Sequence, residues 1–180
     1  MKTLLLLMLS FLSIANLNAQ EIYIPGKIVK GEKAAYYCTT WTKIHVTVRN
    51  VNNVDTIRTV YYEDGSIVPD NEEVIPAQGI SNKDLVQIFQ EFLTAQELEM
   101  IKGKIGYGLT IDIVADESGN TKEITFTFRN DDPVVSKFPP DRLYQLEQKF
   151  KEAIKLNWYK GAKRMRNVKY SRGIDYRELE

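Results

Sequence analysis

An α+β fold is expected, an antiparallel sheet with helices packed on one of its faces, and three observations predict it. The stretch Gly108 to Phe128, GLTIDIVADESGNTKEITFTF, alternates apolar and polar residues on both sides of a tight-turn signal. Leu143, Leu146, Phe150, Ala153 and Ile154 recur at helical spacing about fifteen residues later, giving the hairpin an apolar cover. Nearer the start, KIHVTVRN places Ile44, Val46 and Val48 on one face and Lys43, His45, Thr47 and Arg49 on the other.

Residues 1 to 19 have a cationic start at Lys2, an apolar run from Leu4 to Leu12 and a small residue at Ala19. That is the plan of a secretory signal peptide cut before Gln20. Ser10, Ser13, Asn16 and Asn18 interrupt the run, so no transmembrane anchor is expected after cleavage. The cleavage point holds no cysteine for a lipid. An exported protein, in the periplasm or at the cell surface of a Gram-negative bacterium, is the expectation.

The remaining chain suffices for one domain with its own core, an N-terminal β portion over 20–78 and a helical connection with a hairpin-helix-strand unit over 79–180. Cys38, the single cysteine, is expected to be buried as a small hydrophobe, with pairing between molecules as the alternative.

From Glu21 to Thr42 no period is sustained. After KIHVTVRN a second β-rich run covers Val54 to Tyr62. Asp64-Gly65 turns it back into Ser66 to Val68, since glycine readily takes the positive φ of such turns. The acidic stretch from Pro69 to Gly79 reads as a connection. Ser81 with Asp84 and Thr94 with Glu97 are successive helix caps, the first before Leu85, Ile88, Phe89 and Phe92, the second before Leu98 and Ile101. Gly103 and Gly106 end the second helix. Pro139-Pro140 suits the start of the helix over Asp141 to Leu156, and MRNVKYS supplies a last strand. Trp41 and Trp158 are expected in the core.

The pieces GLTIDIVADESGNTKEITFTF, LYQLEQKFKEAIKLNWYKGAKR and VKYS, in that order, resemble the C-terminal domain of TonB-type energy transducers, over roughly residues 103 to 172. In that family an alternating strand, an acidic-Gly turn, a second strand, a helix ending near a Trp and a closing strand follow one another. The chain departs from it in having a cleavable signal and an N-terminal β portion in place of a membrane anchor and Pro-rich spacer, and in lacking a Tyr-Pro dipeptide ahead of the first strand. Energy transduction is therefore not carried over. The resemblance implies a fold and a mode of binding, in which the final strand pairs with an extended peptide.

An uncovered strand offers unpaired N–H and C=O groups to such a peptide. On this reading the edge is Met165 to Ser171, with Arg164, Arg166, Val168, Lys169 and Tyr170 as the partner-binding residues and the cations selecting acidic side chains. The alternative is that the N-terminal strands pair with that edge and close it.

Charge narrows the partner. The formal net charge is zero, which argues against nucleic acid. Nine acidic residues from Glu63 to Glu99 face only Lys83, whereas Lys149 to Glu180 carries ten Lys or Arg. The halves either attract each other within the fold or leave a basic face for an acidic partner.

Chemistry finds little support. His45 is the only histidine and sits on the polar face of a strand without a nucleophile motif. One Cys and one His do not make a structural zinc site, and DESGN followed by Glu123 misplaces Gly119 for a calcium loop. The adjacent pairs Glu72-Glu73 and Asp131-Asp132 stand in turn-like contexts, and GKIGYG lacks the ending of a phosphate loop. No catalytic residue, cofactor or metal is expected. The leading expectation is a non-enzymatic module that binds an envelope protein or extended peptide by strand addition. The second is a small carbohydrate-binding or envelope-structural protein using exposed aromatics, and the third is a carboxylate-dependent hydrolase.

Overall fold

A computed structural model describes residues 21–54, 60–69 and 77–180. The expected signal peptide, residues 55–59 of the second β-rich run and the Glu72-Glu73 pair lie outside the described residues. The fold is α+β. Strands β1 (Ile28–Lys30), β2 (Ala35–Thr42), β3 (His45–Asn50), β5 (Gly108–Asp116), β6 (Thr121–Arg129) and β8 (Asn167–Asp175) form one antiparallel sheet in the order β1-β2-β3-β6-β5-β8. A two-residue pairing of β4 (Ala77–Gln78) with β7 (Asn157–Trp158) stands apart. Helices α1 (Asn82–Phe92), α2 (Ala95–Ile101) and α3 (Pro140–Ala153) complete the elements.

Both caps act as the sequence indicates. The Ser81 side chain accepts from the Asp84 N–H, and Thr94 with Glu97 makes a reciprocal capping box. Pro140 opens α3, where its missing N–H costs nothing.

One face of the sheet is the core. Val46 and Val48, Ile124, Phe126 and Phe128, and Leu109, Ile111 and Ile113 meet Leu85 and Phe89 of α1 and Leu143, Leu146 and Phe150 of α3. Each such burial contributes about 1.5–3 kcal/mol. Tyr36 and Cys38 of β2 join the same core, so the free thiol is buried as expected. Burial raises its pKa to about 11. A second cluster at the far end gathers Tyr62, Ala77, Ala115, Leu156, Met165 and Val168.

Glu147 of α3 is fully buried beneath the sheet. It accepts from the Tyr36 hydroxyl at 2.6 Å and from the Asn50 amide at 3.3 Å, and pairs with Lys151 at 2.6 Å. Two donors from separate strands and the Lys151 ammonium replace the water this carboxylate gives up.

Two expectations are corrected. Ile44 does not belong to the buried face of β3: with Lys43 it forms the β2–β3 turn and is exposed. Trp41 is not in the core. The register slips by one residue between Thr40 and Thr42, leaving Trp41 as the extra residue of a β-bulge, 65% exposed. Trp158 is half-buried, its indole N–H donating to the Glu117 carbonyl at 3.0 Å.

Candidate functional site

Whether β8 can accept a further strand depends on its neighbours. The N-terminal strands add to the β6 side of the sheet, not to β8, so β8 is the last strand of its sheet among the described residues. Its register with β5 runs unbroken from Gly108 opposite Asp175 to Asp116 opposite Asn167. The Tyr176 N–H donates to the Tyr107 carbonyl in the same register. Antiparallel ladders alternate, so Ile174, Arg172 and Tyr170 turn their N–H and C=O groups toward β5. Ser171 and Gly173 turn theirs outward.

The beginning of the edge is occupied. Tyr62 bridges Met165, with the Arg166 N–H donating to the Tyr61 carbonyl at 2.7 Å and the Glu63 N–H to the Arg164 carbonyl at 3.1 Å. The segment with the Asp64-Gly65 turn thus closes residues 164–166, and among the described residues no strand pairs with the edge beyond it, at Ser171 to Asp175. Periodicity marks a strand's faces but not its lateral neighbours, which is why the sequence places the edge too early.

The five residues singled out for partner binding therefore divide. Arg164 and Arg166 sit in the bridged segment, and the Arg166 guanidinium donates to the Glu63 carbonyl at 3.3 Å. Val168 is buried against Ala115 and Leu156. Tyr170 points inward, and its hydroxyl lies where a Cβ on Gly79 would come within 2.7 Å. Burial raises the Tyr170 pKa to about 12 against the opposing pull of Arg172. Lys169 is exposed on the outer face, opposite Val114. The opposite charges of the two halves meet within the fold where Lys163 pairs with Asp64 at 3.2 Å. Hydrogen bonds from Ser66, joined by Lys163, lower the Asp64 pKa to about 2.

The sheet's outer face carries a second feature. Thr39, Thr47, Thr127, Thr110 and Gly173 lie opposite one another across five strands. The Thr47 and Thr127 hydroxyls are 2.8 Å apart. Taller side chains flank part of this low row, and a shallow trough of about 300 Å³ runs from Trp41 and His45 past Tyr107 to Gly173. His45 Nδ1 is 2.8 Å from the Thr42 hydroxyl, which also accepts from the Ile44 N–H at 3.3 Å. Trp41 stands edge-on to the His45 ring at 5.4 Å. Arg129 lies over the Tyr107 ring at 4.5 Å and is held by Asp131 at 2.8 Å. Those hydrogen bonds keep the Asp131 carboxyl below its ordinary range. Alternation in KIHVTVRN and TFTF indicates the threonine face; the bulge that exposes Trp41 has no such signal.

Among the described residues no three His, Cys, Asp or Glu side chains are grouped to hold a metal. Asp116, the acidic residue of the β5–β6 turn, accepts from the Ser118 and Asn120 N–H groups at 3.0 and 2.9 Å. Asp131 is exposed and paired, whereas Asp132 is fully buried and accepts from Val134, Val135 and Tyr176. The adjacent carboxylates thus face different surroundings. No described helix is long and apolar enough to cross a membrane.

No protein-family model matches the chain, and no curated protein matches it. Among solved structures it is similar to the crystal structure of a DUF5043 family protein from Bacteroides uniformis ATCC 8492, with a TM-score of 0.67 and 18% identity over 87% of this chain and 95% of that one. At that identity the likeness establishes a shared α+β fold.

Proposed function

We propose that the protein is an exported, non-enzymatic binding module that takes an extended peptide segment, of an envelope protein, as an added strand at the outer edge of β8. The observation that carries the reading is the sheet order together with the β5–β8 register, which turns the backbone groups of Ser171 and Gly173 away from the sheet. The β5, β6, α3, β8 sequence of elements is also the order that the resemblance to the TonB C-terminal domain implies. Lys169 and Arg172 lie beside this edge, whereas Arg166 is held to the 61–66 segment through its guanidinium and Arg164 through its carbonyl, so selection of acidic side chains falls to the cations nearest the added strand. Ser171 and Asp112 lie opposite each other on the outer face, so an added strand also meets a carboxylate there.

A peptide selected from a random display library against the protein tests this. Ser171→Pro removes an N–H that points outward and leaves the β5 ladder intact, so the fold is expected to melt close to the parent temperature. Peptide affinity is expected to fall by about tenfold or more. Selected peptides that bind Ser171→Pro and the parent equally, or a library that yields no binder, would contradict the reading.

A further inference from the structure

We propose that the outer face of the sheet binds a neutral oligosaccharide chain, laid across the strands in the trough between Trp41 and Gly173. The site meets the peptide edge at Gly173 and Asp175 but does not depend on strand addition there.

The floor of the trough is built from Thr110, Thr127 and Gly173. The Thr47–Thr127 hydroxyl pair shares one proton internally, leaving a donor and lone pairs for a ligand. Gly173 has open space where a Cβ would stand, so the floor stays low where the chain leaves the sheet. Five strands set about 4.8 Å apart give the trough a length of roughly 19 Å, room for an extended chain of several sugar rings.

The wall at the β2 end is aromatic. A lone exposed tryptophan on a surface is unexceptional, but Trp41 is the extra residue of a bulge, and bulges re-aim side chains. Its flat indole suits the apolar C–H face of a pyranose. Beside it the Thr42 hydroxyl, accepting from the Ile44 N–H, lies 2.8 Å from His45 Nδ1 and holds the imidazole in place. The His45 ring, which lines the trough, can exchange a hydrogen bond with a sugar hydroxyl through Nε2. Tyr107 is held by its hydroxyl to Asp131 at 3.2 Å and by Arg129 on its ring.

Charge decides the ligand class. Asp175 at the β8 end is clamped by Arg177 through its side chain and its N–H, and Arg129 is clamped by Asp131. Asp175 and Arg129, the charges nearest the two sides of the trough, thus have their counter-charges in place, and Lys104 lies over the Tyr107 ring at 5.5 Å, while the hydroxyls, imidazole and indole of the lining remain available. That combination suits an uncharged polyhydroxylated chain better than a phosphate or a polyuronate.

Trp158→Phe leaves Trp41 as the only tryptophan and makes its fluorescence the reporter. Cellohexaose, xylohexaose, mannohexaose and laminarihexaose are titrated into this variant, with hexagalacturonate as the acidic comparison. At least one neutral hexamer is expected to give a saturable change with Kd on the order of 1 mM or tighter. The same sugar is expected to shift the Thr110, Thr127 and Gly173 amide resonances of the parent protein. Trp41→Ala is expected to weaken those amide shifts about tenfold or more at an unchanged melting temperature. No response to any neutral hexamer at about ten times that concentration would overturn the proposal, as would tighter binding of hexagalacturonate or amide shifts confined to other strands.

Discussion

Asp132→Ala is expected to be the most destabilising single change at a polar position, at about 4 kcal/mol. Asp132 follows β6, is fully buried, and holds three donors. One carboxylate oxygen accepts from the Val134 and Val135 N–H groups at 2.9 and 2.7 Å, and the other from the Tyr176 hydroxyl at 2.8 Å. Tyr176 in turn stacks on Phe89 of α1 at 6.0 Å. The carboxylate therefore ties the end of β6, the short 3-10 turn Val135–Lys137 and the end of β8 to the first helix. Alanine leaves three buried donors without an acceptor, each costing about 1–3 kcal/mol and coupled enough not to sum fully. Against a typical stability of about 5–15 kcal/mol, urea unfolding is expected to show a much lower midpoint at an unchanged slope. Asp132→Asn keeps an acceptor for the two backbone groups and is expected to lose less than half as much.

The same residue gives a pH signature. Burial raises the Asp132 pKa above its ordinary value, although its hydrogen bonds pull the other way. In the window between the unfolded value, about 3.9, and the raised folded one, the native state binds more proton than the unfolded state. Its contribution to stability is thus complete below the unfolded value and lost as pH rises through the folded value. The stability of Asp132→Asn relative to the parent is therefore expected to rise with pH across that window. A flat difference across the carboxylate range would contradict this.

Gly119→Ala is expected to cost about 3 kcal/mol, from two separable causes. Gly119 sits in the β5–β6 turn at φ +83, a conformation that costs a side-chain-bearing residue about 1–2 kcal/mol. A Cβ there would also lie 2.3 Å from the Leu156 carbonyl oxygen. That atom belongs to the backbone and cannot swing aside. The Leu156 N–H donates to the Gly119 carbonyl at 2.7 Å, and Asn120 bridges Lys155, so relieving the clash separates the turn from the chain beyond α3. Overpacking of this kind adds about 1–3 kcal/mol. Gly103→Ala isolates the first cause: its φ is +72 with open space around the Cβ position, and its loss is expected to stay near 1 kcal/mol. Equal midpoints for the two variants in urea would show that the Leu156 contact carries no energy.

Local signals were the legible part of this fold. Ser81 and Thr94 cap because a side-chain oxygen reaches an N–H three residues on, and the distance is set by the sequence alone. Leu109 to Ile113 and Ile124 to Phe128 alternate because a pleated strand with one buried face requires it. The segment before β3 was less legible: Lys27, Lys30 and Lys33 with Gly26 and Gly31 interrupt the pattern, although Ala34, Tyr36 and Cys38 alternate inward. Alternation was carried one residue too far at Ile44, since a turn that begins mid-period leaves no mark on the apolar spacing. Glu147 breaks the polarity of the buried face of α3, and its satisfaction by Tyr36 and Asn50 spans about a hundred residues. Lateral order was beyond reach for the same reason. Val46 and Val48 would serve a core beside β8 as well as one beside β6, and three-dimensional packing against Phe126 and Phe128 decides.

The outer edge of β8 is the centre of the functional account, and amide hydrogen exchange resolved residue by residue tests it most directly. With β5 as the one strand beside β8 among the described residues, the Ser171 and Gly173 amides are expected to exchange quickly while those of Tyr170, Arg172 and Ile174 are protected. A peptide selected for binding is expected to slow Ser171 and Gly173 selectively. Protection of all five amides to the same degree in the free protein would mean that the edge is already paired, and strand addition at β8 would be ruled out.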